Sequence, residues 1–302
     1  MKHQLVTIAD LCLDILFTAD VVPKYGQVEQ FVNDYHVDLG GSAAIFASQF
    51  AKLGGNPALF GVVGTDTFGD ILTLKLHESG IMTDYLVKDT ETKTAVGLGL
   101  AKGDDRAMLT YKGTMQSVTP ERIRKAGILR EAKHIHIASF YLLDQLHELW
   151  EQELKSLKQN GVTVSLDTNW APEGNWQAVH SILGYVDVFI PNEEEALLIS
   201  GQPTCDLAGE WLSTKCGLVV IKRGAAGASV YQNKEAVHFQ VPSALTKHLE
   251  IADTTGAGDN FAAGFVYAWL NQNSIAESVN LAMRCGTTSL SKIGGIAGQY
   301  VP

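Results

Sequence analysis

The residues best suited to chemistry lie in Asp253-Thr254-Thr255-Gly256-Ala257-Gly258-Asp259-Asn260-Phe261, near the end of the 302-residue chain. A glycine-rich turn there runs straight into the apolar stretch 261–270, which predicts a buried helix. The first N–H groups of such a helix have no partner within it, and the helix dipole adds partial positive charge. Gly256 and Gly258 let a ligand approach backbone where a Cβ would obstruct it. The turn therefore reads as an anion hole formed by Gly256, Ala257 and Gly258. Asp259 places a carboxylate beside that anion, where it can accept the proton of a hydroxyl attacking a phosphoryl group. A plain N-cap ahead of a core helix needs neither two glycines nor a second acid.

Three further clusters carry weaker signals. In Asn192-Glu193-Glu194-Glu195, Asn192 suits a helix cap and the acids suit the positive end of the helix. Asn192 and Glu195 also share a face three residues apart, and an amide oxygen with a carboxylate suits Mg²⁺ held through water. Gly40-Gly41-Ser42 opens a second helix, where paired glycines either turn the chain or admit a polyol. Lys222-Arg223-Gly224-Ala225-Ala226-Gly227 follows an apolar run and turns into a hairpin strand at 228–231, a loop able to line a nucleotide. Other chemistries are excluded by what is missing. The chain has no Gly-Lys dipeptide and so no P-loop, no Gly-x-Gly-x-x-Gly after its first strand, and no Gly-x-Ser-x-Gly elbow. His134 and His136 lack a third ligand at metal-binding spacing and read as core or edge histidines.

The elements that must position these groups alternate. Apolar runs at 5–9, 58–63, 134–138, 162–166, 186–190 and 218–221 predict buried parallel strands. Amphipathic stretches at 43–53, 120–129, 145–159 and 206–215 predict helices between them, hence a doubly wound α/β sheet with helices on both faces. Segments at about 15–37 and 85–112 break the rhythm. They read as antiparallel strands of a small β subdomain, a candidate lid on a single domain spanning 1–302. Apolar residues make up 46% of the chain and charged residues 19%, enough for a sizeable core. The net charge of −10 argues against nucleic acid and anionic membrane as partners, so any anion must be held by a local site. Glycine is frequent, 29 residues against 8 prolines, and clusters at the turns just named. Cys12, Cys205, Cys216 and Cys285 form no Cys-x-x-Cys pair and predict free thiols. The N-terminal residues read as a strand and not a signal peptide, which predicts a cytoplasmic protein.

In this order the motifs resemble the ribokinase (PfkB) family of carbohydrate kinases, over nearly the whole chain. The resemblance implies a three-layer αβα fold with a β-sheet lid that often mediates homodimerisation. It implies transfer of the γ-phosphoryl of ATP to a sugar or nucleoside hydroxyl. Asp259 then matches the catalytic base, and Gly256, Ala257 and Gly258 match the anion hole. Asn192 and Glu195 match the motif that organises Mg²⁺ and the phosphates. Asp14, Gly40, Gly41 and Ser42 match the substrate segment, and Lys222, Gly224 and Gly227 match nucleotide contacts. Asp253 and Thr255 match part of a monovalent-cation (K⁺) site, which Ser289, Lys292 and Gly294 would complete. Three departures stand out. Ile45 and Cys12 occupy positions where the family often has Asn, and Ala171, after Asp167-Thr168-Asn169-Trp170, stands where a charged residue is frequent. Phosphosugar kinases tend to have Lys where this chain has Ser42, which favours an unphosphorylated acceptor. A nucleoside kinase and a non-catalytic sugar-binding relative remain open alternatives.

Overall fold

The apolar runs become strands because each is covered on both faces. The computed structural model describes residues 3–18, 21–102 and 105–302. In chain order the strands are β1 (His3–Ile8), β2 (Cys12–Thr18), β3 (Asp34–Gly40), β4 (Pro57–Gly64), β5 (Leu86–Asp89), β6 (Val96–Lys102), β7 (Asp105–Tyr111), β8 (Ala132–Ile137), β9 (Thr163–Leu166), β10 (Val188–Phe189), β11 (Leu218–Lys222), β12 (Ala228–Gln232) and β13 (Glu235–Phe239). The α-helices are α1 (Ser42–Lys52), α2 (Thr67–Glu78), α3 (Pro120–Ala126), α4 (His147–Gln159), α5 (His180–Leu183), α6 (Glu193–Ser200), α7 (Cys205–Leu212), α8 (Ser243–Thr246), α9 (Ala257–Leu270) and α10 (Ile275–Ser289).

The main sheet has nine strands in the order β13-β12-β11-β10-β9-β8-β1-β4-β5. It is parallel from β11 to β5, and only β12 and β13 run antiparallel. The chain leaves β1 toward β4 on one side and returns to β8 on the other, so β1 and β8 flank a topological switch point. In open α/β sheets ligands bind in the crevice beyond the strand C-termini at such a point. Asp10 and Ser139, just past β1 and β8, meet there: Ser139 Oγ donates to Asp10 Oδ2 at 2.6 Å.

A separate four-stranded sheet has the order β3-β2-β6-β7. Two details differ from the sequence reading. Leu86–Asp89, inside the predicted 85–112 segment, pairs in parallel with β4 and belongs to the main sheet. Within the small sheet β2 and β6 pair in parallel, whereas an antiparallel set was expected. Antiparallel order is enforced only where a short hairpin joins two strands, and a long crossover separates β2 from β6. The sheet also begins earlier than residue 15, because Cys12 already pairs with Gly40.

The core includes a polar column. His134 Nδ1 meets Thr163 Oγ1 at 2.8 Å, while Ser165 Oγ bridges His134 Nε2 at 2.7 Å and His136 Nδ1 at 2.8 Å. The His136 ring stacks on Phe46 with centroids 3.6 Å apart. Both histidines are therefore core residues, as expected. Burial lowers both, His134 to about 3. The unfolded chain takes up these protons below about pH 6.5, while the fold excludes them. Stability is then complete above that pH and is lost as pH falls toward about 3. By pH 5 His134 alone should cost about 2 kcal/mol. Urea unfolding at pH 7.5 and pH 5.0 checks this. His134→Gln should show a smaller acid loss than the wild type, and equal losses would refute the assignment.

All four cysteines are free thiols, Cys12 and Cys285 buried. Among the described residues no helix is long and apolar enough to cross a membrane.

Candidate active site

Two helix N-termini define the site. α9 begins as expected, with Gly256 as its cap at φ +71° and no side chain capping the turn. A Cβ on Gly256 would lie 3.0 Å from Ile45 Cγ2 and 3.1 Å from Gly295 Cα, so its left-handed conformation favours glycine and the space beside it is tight. A Cβ on Gly258 would lie 3.2 Å from Lys222 Nζ, so the lysine ammonium stands over the first turn.

α1 begins at Gly41-Ser42, and its start is treated differently. Asp10 caps it from outside: Ser42 N and Ala43 N each donate to the Asp10 carboxylate at 3.2 Å. Gly41, at φ +91°, lies so close to the Asp10 carbonyl that any side chain would collide. Asp14, on the small sheet, lies against Gly40 and Gly97, where a methyl on either glycine would strike its carboxylate. Cys12 Sγ donates to Asp14 Oδ1 at 3.1 Å. The expected substrate residues Asp14, Gly40, Gly41 and Ser42 are therefore brought together. Ile45 is not aimed at a polyol: it packs against Gly256 and Gly295, tying α1 to the start of α9.

Asp259 joins the two halves. The Ser42 side chain lies close enough to its carboxylate to favour the charged form. In turn, Asn169 Nδ2 donates to Ser42 Oγ at 2.5 Å and to Ser139 Oγ at 3.2 Å. Burial and the nearby Asp167 push Asp259 well above the usual carboxylate range, against the pull of Lys222 and Ser42. Lys222 Nζ is 2.5 Å from Asp167 Oδ2. Burial alone would lower Lys222, but Asp167, Glu195 and Asp259 together raise it, so it is a held cation.

Asn192 and Glu195 form a capping box at the start of α6: Glu195 N donates to Asn192 Oδ1 at 2.8 Å and Asn192 N to Glu195 Oε2 at 2.9 Å. Burial raises Glu195 to about 7 despite Lys222. Asp167 Oδ1 is buried without a hydrogen-bond partner. Acids thus outnumber the single lysine here, which suits a hydrated divalent cation, although among the described residues no set of three His, Cys, Asp or Glu converges as direct ligands. Asp253 accepts from Thr255 N at 2.9 Å, Thr255 Oγ1 at 2.8 Å and Gly294 N at 2.9 Å, so the loops of the expected K⁺ site are clasped together.

Beyond Gly258 and Lys222 opens a cavity of 420 Å³, with Gly224, Gly227 and Thr254 on its walls and Val241, Ile251, Phe261 and Met283 among its apolar lining. An apolar slot with a few polar groups at its mouth suits a flat base whose charged tail points to α9. The sequence reading missed Asp10, Ser139 and the role of Asn169. Asp10 had a signal, an acid immediately after the first strand. Ser139 and Asn169 adopt φ of +54° and +58°, which spacing does not reveal.

A sheet crevice that holds a carboxylate between an uncapped helix start and a glycine-rich turn suits phosphoryl transfer. The chain belongs to the pfkB family carbohydrate kinases, whose model matches residues 2–300. It is 26% identical over 273 residues to a fructokinase of Vibrio alginolyticus, covering 85% of this chain and 87% of that protein. It is 27% identical over 312 residues to a 5-dehydro-2-deoxygluconokinase of Listeria monocytogenes, covering 96% and 89%. The fold is that of Arabidopsis thaliana ribokinase complexed with ribose and ATP, with TM-score 0.83 at 23% identity over 99% of this chain and 96% of that one.

Proposed function

We propose that this kinase transfers the γ-phosphoryl of ATP to a hydroxyl of an unphosphorylated, uncharged sugar, with Asp259 as the base. The observation that carries the reading is the place of Asp259: it sits on the first turn of α9, which borders the 420 Å³ cavity, and is near enough to Ser42 of the expected acceptor turn to be influenced by it. The adenine fills the cavity, with Lys222, Gly224 and Gly227 along the nucleotide. The γ-phosphoryl meets the N–H groups of Gly256, Ala257 and Gly258, and Asp14, Gly40 and Gly41 hold acceptor hydroxyls. Asp259 removes the acceptor proton, and the preorganised N–H groups stabilise charge developing on the phosphoryl oxygens. Asn192 and Glu195, with Asp167 nearby, would hold Mg²⁺ through water. Mg²⁺, when bound, neutralises charge on the phosphates. Asp253 and Thr255 would help hold K⁺.

Two carboxylates, Asp14 and Asp259, face the acceptor, and Lys222 is already paired with Asp167. A phosphosugar, or a sugar acid of the kind named for the Listeria relative, would meet uncompensated negative charge. An acceptor screen with ATP, Mg²⁺ and K⁺ tests this across pentoses, hexoses, aldonic acids, phosphosugars and nucleosides. ADP release should be stimulated at least about tenfold more by a neutral sugar than by any acid. A nucleoside as best acceptor replaces the sugar reading, and no stimulation by any acceptor removes the kinase reading.

We further propose that the small sheet acts as a lid and pairs with a second copy, giving a homodimer. Its face away from Asp14 carries Ile15, Phe17, Val37 and Leu98, with Tyr35, Leu109 and Tyr111 more than half exposed. Sedimentation velocity should show a dimer at micromolar concentration and a monomer for Leu109→Asp. A wild-type monomer would sink the idea.

A further inference from the structure

We propose that Gln299 and Asn260 form a positioning pair that sets the register between the start of α1 and the start of α9. Acceptor and phosphoryl are thereby presented at a fixed separation. The inference rests on the kinase reading above, but its geometry stands apart from that reading.

Asn260 is fully buried and Gln299 nearly so. Gln299 Nε2 donates to Ile45 O at 2.9 Å and to Asn260 Oδ1 at 2.8 Å, while Ser48 Oγ donates to Gln299 Oε1 at 2.7 Å. Asn260 Nδ2 donates to Gly256 O at 2.9 Å and to Gly295 O at 3.0 Å. Both amide groups are thus saturated. A buried amide is kept only when its donors and acceptors are met, and such a network admits one arrangement.

The partners explain what that arrangement does. Gly256 O belongs to the peptide whose other end is the Ala257 N–H. Holding the carbonyl therefore fixes the plane of that N–H, which donates to Thr254 O at 3.3 Å and is proposed above as one wall of the anion hole. Ile45 O and Ser48 lie on α1, one turn and two turns past the Gly41-Ser42 acceptor start. Ile45 fills the gap by packing its side chain against Gly256 and Gly295. The carbonyl of the next residue along, Ile296, takes Lys52 Nζ at 3.0 Å, and Gly294 N binds Asp253. The C-terminal loop is therefore a strap joining both site helices and the Asp253 turn. Phosphoryl transfer needs the attacking oxygen in line, and a misplacement of about 1 Å costs on the order of a hundredfold in rate.

Gln299→Met keeps the volume and removes the hydrogen bonds. The expected result is a fall in kcat of about tenfold to a hundredfold, with KM for ATP and for acceptor each within about twofold. ADP formed per phosphorylated product should rise. Unchanged kcat per folded enzyme, or losses confined to KM, would overturn the proposal. If Gln299→Met does not fold, Ser48→Ala decides, because it withdraws a single hydrogen bond. A kcat loss of about threefold at constant KM supports the pairing, and no loss overturns it. Amide hydrogen exchange keeps this test separate from the kinase reading. In either variant, faster exchange in both 40–46 and 254–260 supports the register role even if no acceptor is ever found. Faster exchange confined to 293–302 refutes it.

Discussion

Asp259→Asn should bind ATP within about threefold of wild type yet lose roughly three to four orders of magnitude in kcat. The amide is nearly isosteric, so Ser42 and Lys222 keep a partner of the same shape and the cleft keeps its form. What disappears is the proton acceptor. Because burial and Asp167 raise Asp259, the basic form is lost at a higher pH than for an ordinary carboxylate. The acid limb of kcat/KM should therefore stand above the usual carboxylate range in the wild type. Ser42→Ala removes a nearby hydroxyl that favours the charged form, so it should move that limb further up. Turnover of Asp259→Asn within tenfold of wild type, measured by coupled ADP release, would show that the base lies elsewhere.

Lys222→Met should destabilise the fold by about 3–5 kcal/mol, because it strands buried carboxylates without a counter-charge. Asp167 and Glu195 are both nearly inaccessible to water, and Lys222 is the cation between them. Arg is no substitute, since even a methyl added to Gly258 would lie 3.2 Å from the ammonium, which leaves little room for a larger guanidinium. The double variant Lys222→Met with Asp167→Asn should regain much of the loss, since charge and counter-charge leave together. In the single variant the carboxylates prefer their protonated forms in the fold. Its deficit relative to wild type should therefore shrink as pH falls from 7 to 5. Urea unfolding of all three proteins checks this. A single-variant loss under 1 kcal/mol, or no recovery in the double variant, would refute it.

The large features of the fold are legible in local sequence because they rest on local physics. The stretch 58–63 is apolar throughout and lies buried on both faces as β4, and the turn at 256–258 must approach something that a Cβ would block. The departures are long-range. Leu86–Asp89 joins the main sheet because β4 offers it an edge, which its own composition does not announce. The pairing of Lys222 with Asp167 spans 55 positions and that of Gln299 with Ile45 spans 254. No spacing rule connects such residues, yet they aim the groups that the motifs display. Asn192 and Glu195 illustrate a further ambiguity, because one pattern serves both as helix cap and as cation-organising pair.

The unequal treatment of the two helix starts has a further consequence. Asp10 accepts from the first N–H groups of α1, while among the described residues no side chain caps α9, whose first turn carries Asp259 instead. If the proposed kinase reading holds, the acceptor half rests on a capped helix start and the phosphoryl half on an uncapped one. Two ligands that both present oxygen atoms would then be sorted by charge, a polyanion in the acceptor half finding the helix N–H groups already taken by Asp10.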